Sequence, residues 1–230
     1  MPHARTMQAG WALSLRVGGT LSLDGAPMSK PREIFLAPQY PPGDCPRVSR
    51  VRSTLLSASL QGVRQMGWEE RYFEVLPHAL HAEMRMLAPG VWLPIALGIA
   101  HYTACDQMGL SIDDVKEMGK AVSLRTQKTF VGTLGSVAAG AGATPWHIFR
   151  HGHRIWGRIF DGGDHVAYKV GPKDLDIVCM GCPLLRIKYF RTSACAYYAA
   201  LAGVVTRSVH WHELAEHRGD ETIGMRISWV

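Results

Sequence analysis

The sequence predicts an α+β fold, an N-terminal helical bundle packed on a small antiparallel sheet whose C-terminal half runs hairpin, helix, hairpin. Three observations carry this expectation. Apolar residues recur at helical spacing from about residue 55 to residue 160. The period then drops to two, and residues 222–229 alternate without interruption. The 230 residues are 47% hydrophobic with a mean hydropathy of -0.01, enough to bury one sizeable core. The expected organisation is an irregular N-terminal extension over residues 1–45 and a single domain over residues 46–230.

The extension lacks sustained periodicity and carries Gly18-Gly19, Pro27, Pro31, Pro38, Pro41 and Pro42. Such a stretch buries too little surface to offset its ordering entropy. Met28 is an alternative start within it. Leu55, Leu56, Leu60 and Val63 then share a helical face that ends near Gly67. A second helix begins around Trp68, and Pro77 either interrupts it or opens a third over residues 78–87. After Pro89-Gly90, residues 92–103 form a helix apolar over most of its circumference, closed by Gly109. Ser111, with Asp114 three positions on, caps a helix from 111 to about 134. Glycines 132, 135, 140 and 142 follow at spacings that no phosphate-binding loop has. Thr144-Pro145 starts a helix that runs towards Phe160.

Beyond Asp161-Gly162-Gly163 lies a hairpin, with residues 165–170 and 175–179 flanking Gly171-Pro172-Lys173-Asp174. A helix capped by Thr192 or Ser193 presents Ala194, Tyr197, Tyr198 and Leu201 and stops near Gly203. The final hairpin pairs residues 205–214 with 222–229 around Arg218-Gly219-Asp220.

The net charge of +6 and pI near 9.2 are spread among interleaved acids, with no run of five positives. That is a generic basic surface and gives no specific nucleic-acid signal. Five cysteines, an odd number without a secretory h-region, argue against a disulfide framework. The longest apolar stretch, residues 91–100, is broken by Pro94 and Gly98 and is too short for a membrane span. The expected location is the cytoplasm.

Candidate sites are few. Cys179 and Cys182 form a lone C-x-x-C, half of a tetrahedral zinc site, and the alternative is a pair of partly buried thiols. His147 and His151 share a helix face without the glutamate of a zinc protease, and the plainer reading is a solvated face. His210 and His212 share a strand face opposite Trp211, with Glu213 and His217 close by in sequence; Trp211 is the natural core residue, which turns the histidines to solvent. Trp92, Tyr102, Trp146, Trp156, Tyr197 and Tyr198 combine apolar bodies with polar tips and, with His101, are the candidate lining of a ligand pocket. Core packing is the competing explanation for each. No nucleophile elbow and no paired carboxylates stand out, so no catalytic residue is assigned.

The order of elements and several local phrases carry a family resemblance. Trp92-Leu93-Pro94 leads through Gly109-Leu110-Ser111 into Met118-Gly119-Lys120; Arg154-Ile155-Trp156 precedes Phe160-Asp161-Gly162-Gly163; Tyr189-Phe190 leads to Leu201-Ala202-Gly203-Val204; and Arg226-Ile227-Ser228-Trp229 closes the chain. Over residues 55–229 this resembles the 4-vinyl reductase-like ligand-binding fold, shared with haem nitric-oxide sensor domains and with small subunits of vesicle-tethering particles. Within that fold it is most similar to an uncharacterised paralogous family abundant in myxobacteria. The resemblance implies a helix-lined cavity for an apolar or aromatic guest. Phenol-sensing relatives bind zinc through cysteines and a glutamate near the last hairpin, but no cysteine lies between Val204 and Val230. The haem sensors use an axial histidine and a Tyr-x-Ser-x-Arg phrase that is absent here, so haem is not implied.

The expected function is therefore a small-molecule binding or sensory module, dimeric, with an apolar small molecule as partner. A zinc-dependent or cofactor-free enzyme of small-molecule metabolism using the same pocket is the first alternative. A structural adaptor whose interior is filled by side chains is the second.

Overall fold

The computed structural model describes residues 32–41, 43–138 and 142–230. Residues 1–31, Met28 among them, and Gly140 lie outside these. Glu33–Leu36 (β1), Asp164–Gly171 (β5), Asp174–Met180 (β6), Val209–Gly219 (β7) and Thr222–Trp229 (β8) form one antiparallel sheet in the order β1-β5-β6-β8-β7. Arg50–Arg52 (β2), Trp92–Pro94 (β3) and Phe160–Asp161 (β4) form a second, in the order β3-β2-β4. The helices are Ser53–Gln65 (α1), Glu69–Val75 (α2), His81–Arg85 (α3), Ile95–Gln107 (α4), Ile112–Ala138 (α5), Pro145–Phe149 (α6), Gly152–Ile159 (α7) and Lys188–Ala202 (α8). The α+β class and the hairpin–helix–hairpin order match the sequence expectation.

The alternation of β8 sets the core. Ile223, Met225 and Ile227 pair with Cys179, Ile177 and Leu175 of β6, and all six are buried at 2% exposure or less. Because side chains alternate between faces, this in-register row supplies one continuous apolar surface. Helix α8 lies against β7 and β8 on one side and α5 on the other. The α5–α8 approach is close because Gly119 has no side chain: a Cβ there would sit 2.4 Å from Ser193 O and 2.9 Å from Ala196 Cβ. Gly119→Ala is expected to cost about 1–3 kcal/mol by forcing these helices apart, read as a lower denaturation midpoint; an unchanged midpoint would show that the contact gives way freely.

Arg191 pins the last turn to α8, donating to Gly219 O (2.5 Å), Thr222 O (3.2 Å) and Leu185 O (3.1 Å). On the outer face of the sheet, Asp176, itself fully buried, takes two hydrogen bonds from Arg226, at 2.6 and 2.9 Å. Removing Arg226 leaves that carboxylate with the Arg32 guanidinium alone, 3.8 Å away. Arg226→Met is expected to cost about 1–3 kcal/mol, reduced from a fully buried pair because the arginine is one-third exposed; the paired change with Asp176→Leu should recover most of it in urea melts.

Several boundaries differ from the sequence expectation. Glu33–Leu36, placed in the irregular extension, is the edge strand beside β5, where backbone pairing supplies the order that four residues lack alone. Trp92–Pro94 is a strand and the helix starts at Ile95, because Pro94 favours an extended residue before it. The stretch from 144 to 160 is two helices broken at Arg150–His151. Gly132 and Gly135 lie inside α5. Helix α8 starts at Lys188, four residues before the expected cap, with Tyr189 N–H held by Asp106 Oδ1 at 2.8 Å. Ser111 does cap α5, accepting from Asp114 N at 3.1 Å. No helix among the described residues is long and apolar enough to cross a membrane.

Candidate ligand cavity

A cavity of about 60 Å³ lies among α1, α4, α5, α7, α8 and the β6 face of the sheet. Its wall is nearly all apolar. Helix α5 contributes Met118, Gly119 and Val122, α7 contributes Ile155, Trp156 and Ile159, and α8 contributes Tyr189, Phe190, Ser193, Ala194, Tyr197 and Tyr198. Leu55 and Ser59 come from α1, Tyr102 from α4, and Phe160, Cys179, Cys182, Leu185 and Ile223 complete it. Six cavity residues from α8 fall on one side because 188–202 is continuous helix, so positions three and four apart share a face.

Most polar atoms in this wall are partnered. Trp156 Nε1 donates to Gly162 O at 2.9 Å. Tyr197 OH is hydrogen-bonded to Thr126 Oγ1 at 3.0 Å, and Cys179 Sγ donates to Tyr198 OH at 3.6 Å. Burial pushes the Cys179 and Cys182 thiols up to about 12 and the Tyr197 phenol up to about 12, so all three stay protonated at neutral pH. Two atoms are exceptions: Ser59 Oγ and Tyr189 OH are buried without a well-formed hydrogen bond, although they lie near one another and near Cys105. The Tyr189 phenol is pushed well up, first by burial and then by the Cys105 thiol.

Of the residues singled out in the sequence, Tyr102, Trp156, Tyr197 and Tyr198 line this cavity, and so do Cys179 and Cys182. Three do not. Trp92 lies at the small sheet under the Arg52 guanidinium, 4.0 Å from its ring centre. Trp146 packs between Phe35 and Trp229 and donates to Pro172 O. His101 is fully buried, but it is held by Tyr72: its Nδ1 lies 2.8 Å from Tyr72 OH and its Nε2 3.9 Å from Cys105 Sγ. Burial lowers its pKa to about 3. Sequence reasoning missed Ser59, Met118, Tyr189 and Phe190. Tyr189-Phe190 had been read as a connection before a later helix start; the corrected start at Lys188 puts both on the cavity face.

Cys179 and Cys182 find no third histidine, cysteine or carboxylate to form a cluster among the described residues. His147 Nδ1 accepts from Thr144 N at 3.1 Å and closes the start of α6. His210 and His212 are exposed on β7.

No family model and no curated protein matches this chain. Solved structures do. One concerns haem distortion in the H-NOX family, at 13% identity and a TM-score of 0.55, covering 77% of this chain and 94% of that one. Another concerns H-NOX activation, at 13% identity and 0.53, covering 77% and 96%. A third is an oxygen-binding H-NOX domain related to soluble guanylate cyclases in its oxygen complex, at 14% identity and 0.51, covering 77% and 94%. The expectation that haem is not implied is corrected by these structures, since haem belongs to domains of the same architecture. At this level of identity, what the chain shares with them is the α+β fold of the H-NOX domains.

Proposed function

We propose that the protein is a small-molecule sensor module whose guest occupies this cavity and carries an apolar body with one hydrogen-bonding group. The observation behind the proposal is the pair of buried hydroxyls, Ser59 Oγ and Tyr189 OH, which lie near one another and near Cys105 but make no well-formed hydrogen bond, on an otherwise apolar wall. An unsatisfied buried hydroxyl costs about 1–3 kcal/mol, and folded proteins keep few of them without a use. A guest oxygen between the two would satisfy both while its apolar part meets Tyr102, Phe190 and Tyr198.

About 60 Å³ is the space of roughly two waters in the liquid. A diatomic or triatomic guest enters without movement. A six-membered ring needs Met118 to swing aside, and an unbranched thioether gives way at small cost. The Met118 thioether packs against Gly62 of α1, so that movement acts where α5 meets α1, and filling the cavity would favour a state with those two helices further apart. A guest with different affinity for the two states then shifts the population, which is the physical content of sensing.

Haem is a candidate guest through the shared fold, and its fit is testable against this wall. Pockets for molecules of that size run to roughly 300 Å³ or more, and no histidine faces the cavity among its described lining residues. The donor atoms on offer are the Cys179 and Cys182 thiols and the phenols of Tyr102, Tyr189, Tyr197 and Tyr198, all of which burial keeps protonated. As packed, the wall does not fit a porphyrin.

The test is a melting series on the full chain with phenol, cyclohexanol, benzene and haem, alongside haem absorption. Phenol is expected to raise Tm at concentrations at least tenfold below benzene, since only phenol pairs with the hydroxyls. Equal shifts for phenol and benzene would remove the polar-group claim, and no shift with any compound would remove the cavity reading.

A further inference from the structure

We infer that His153, Asp164 and His165 form a binding site for one divalent transition-metal ion, separate from the cavity. One ligand atom from each lies within 4.8 Å of the other two. His153 Nδ1 stands 3.5 Å from Asp164 Oδ1. Two ligand atoms on a tetrahedral ion with bonds of about 2.0–2.1 Å are about 3.3 Å apart, so this edge needs almost no adjustment.

The surroundings prepare the donors. His153 Nε2 donates to Ala37 O at 2.7 Å, which orients the ring with Nδ1 turned to the cluster. Asp164 Oδ2 accepts from Gln39 N at 2.6 Å and Tyr40 N at 3.3 Å, and Oδ1 accepts from His165 N at 2.8 Å. These bonds hold the carboxylate in one orientation. Gly152 clears the room: a Cβ there would lie 2.3 Å from His165 Nε2.

What points to an ion is the leftover valence. Asp164 and His165 are 0% and 2% exposed, and both His153 Nδ1 and His165 Nδ1 are buried with no hydrogen-bond partner among the described residues. An Nδ1 lone pair facing a carboxylate oxygen would repel it, and a cation between them reverses the sign. Two imidazoles and one carboxylate suit zinc, iron(II) or cobalt(II) better than magnesium or calcium. His153 is partly exposed, which gives the ion a path and leaves its remaining positions to water. The ion would fasten residues 37–40 to α7 and β5.

The test uses the full chain stripped with chelator. Titration with Zn²⁺ is expected to show one equivalent bound and a higher Tm. Co²⁺ should give d–d absorption without the intense near-ultraviolet band of a cobalt–thiolate, which separates this site from Cys179 and Cys182. His153→Gln should weaken Zn²⁺ at least tenfold, and Cys179→Ser should leave it unchanged. Where His153→Gln fails to fold, ring-nitrogen NMR of the unmutated chain carries the test: two histidine resonances should move to coordinated values on adding Zn²⁺. The inference is overturned by absence of stoichiometric Zn²⁺ and Co²⁺ binding, by a thiolate band, or by histidine resonances that do not respond.

Discussion

Between pH 7 and pH 4 the protein is expected to lose on the order of 3 kcal/mol of stability through His101 alone. The side chain is fully buried in α4, and burial lowers its pKa to about 3. In the unfolded chain it returns to about 6.5. The unfolded state therefore binds the proton first as pH falls. The stability is whole above pH 6.5 and declines steadily from there towards the folded value. His165, lowered to about 4 by burial and then by His153, acts in the same direction. To isolate His101, its slope is compared with that of His101→Asn. The Asn side-chain oxygen lies close to the place of Nδ1 and can accept from Tyr72 OH, which the histidine meets at 2.8 Å, but it does not titrate. The variant should be less stable at pH 7 yet visibly flatter between pH 6.5 and 4.5 in urea melts. Parallel curves would mean that His101 is reached by solvent and carries no such load.

That histidine also shows where the sequence was informative and where it stopped. As the polar residue most out of place in an apolar helix it was visible at once, with two readings, pocket or satisfied core. Choosing between them needed Tyr72, which lies 29 positions earlier on another helix. The strand Thr222–Trp229 was legible because a period of two is a local property. The edge strand Glu33–Leu36 was not, because its order comes from β5, more than a hundred residues away. In the cavity, large aromatics were readable as a class. Tyr102, Trp156, Tyr197 and Tyr198 face it, while Trp92 and Trp146, of the same chemistry, face the small sheet and the sheet edge. Serine gives no such signal: Ser59 in α1 is like any other serine until the structure shows its hydroxyl buried without a well-formed hydrogen bond. The grouping of His153 with Asp164 and His165 was equally hidden, since it joins a helix to the strand that follows it.

Ser59→Ala combined with Tyr189→Phe should make the empty protein more stable, by about 2–4 kcal/mol, while abolishing its preference for a hydroxylated guest. Both hydroxyls are buried on the cavity wall and neither makes a well-formed hydrogen bond, so each removal returns a desolvation cost and takes away almost no packing. Most core substitutions destabilise; the opposite sign is what a polar group retained for a ligand predicts. The two atoms are neighbours, so the single changes need not add, and a double-variant cycle measures their coupling. Phenol and benzene should then shift Tm equally in the double variant, where in the parent phenol leads at least tenfold in concentration. The sign settles the matter. A double variant less stable than the parent would mean that water or the hydroxyls themselves already complete those bonds, and the wall would then have nothing left to offer a guest except shape.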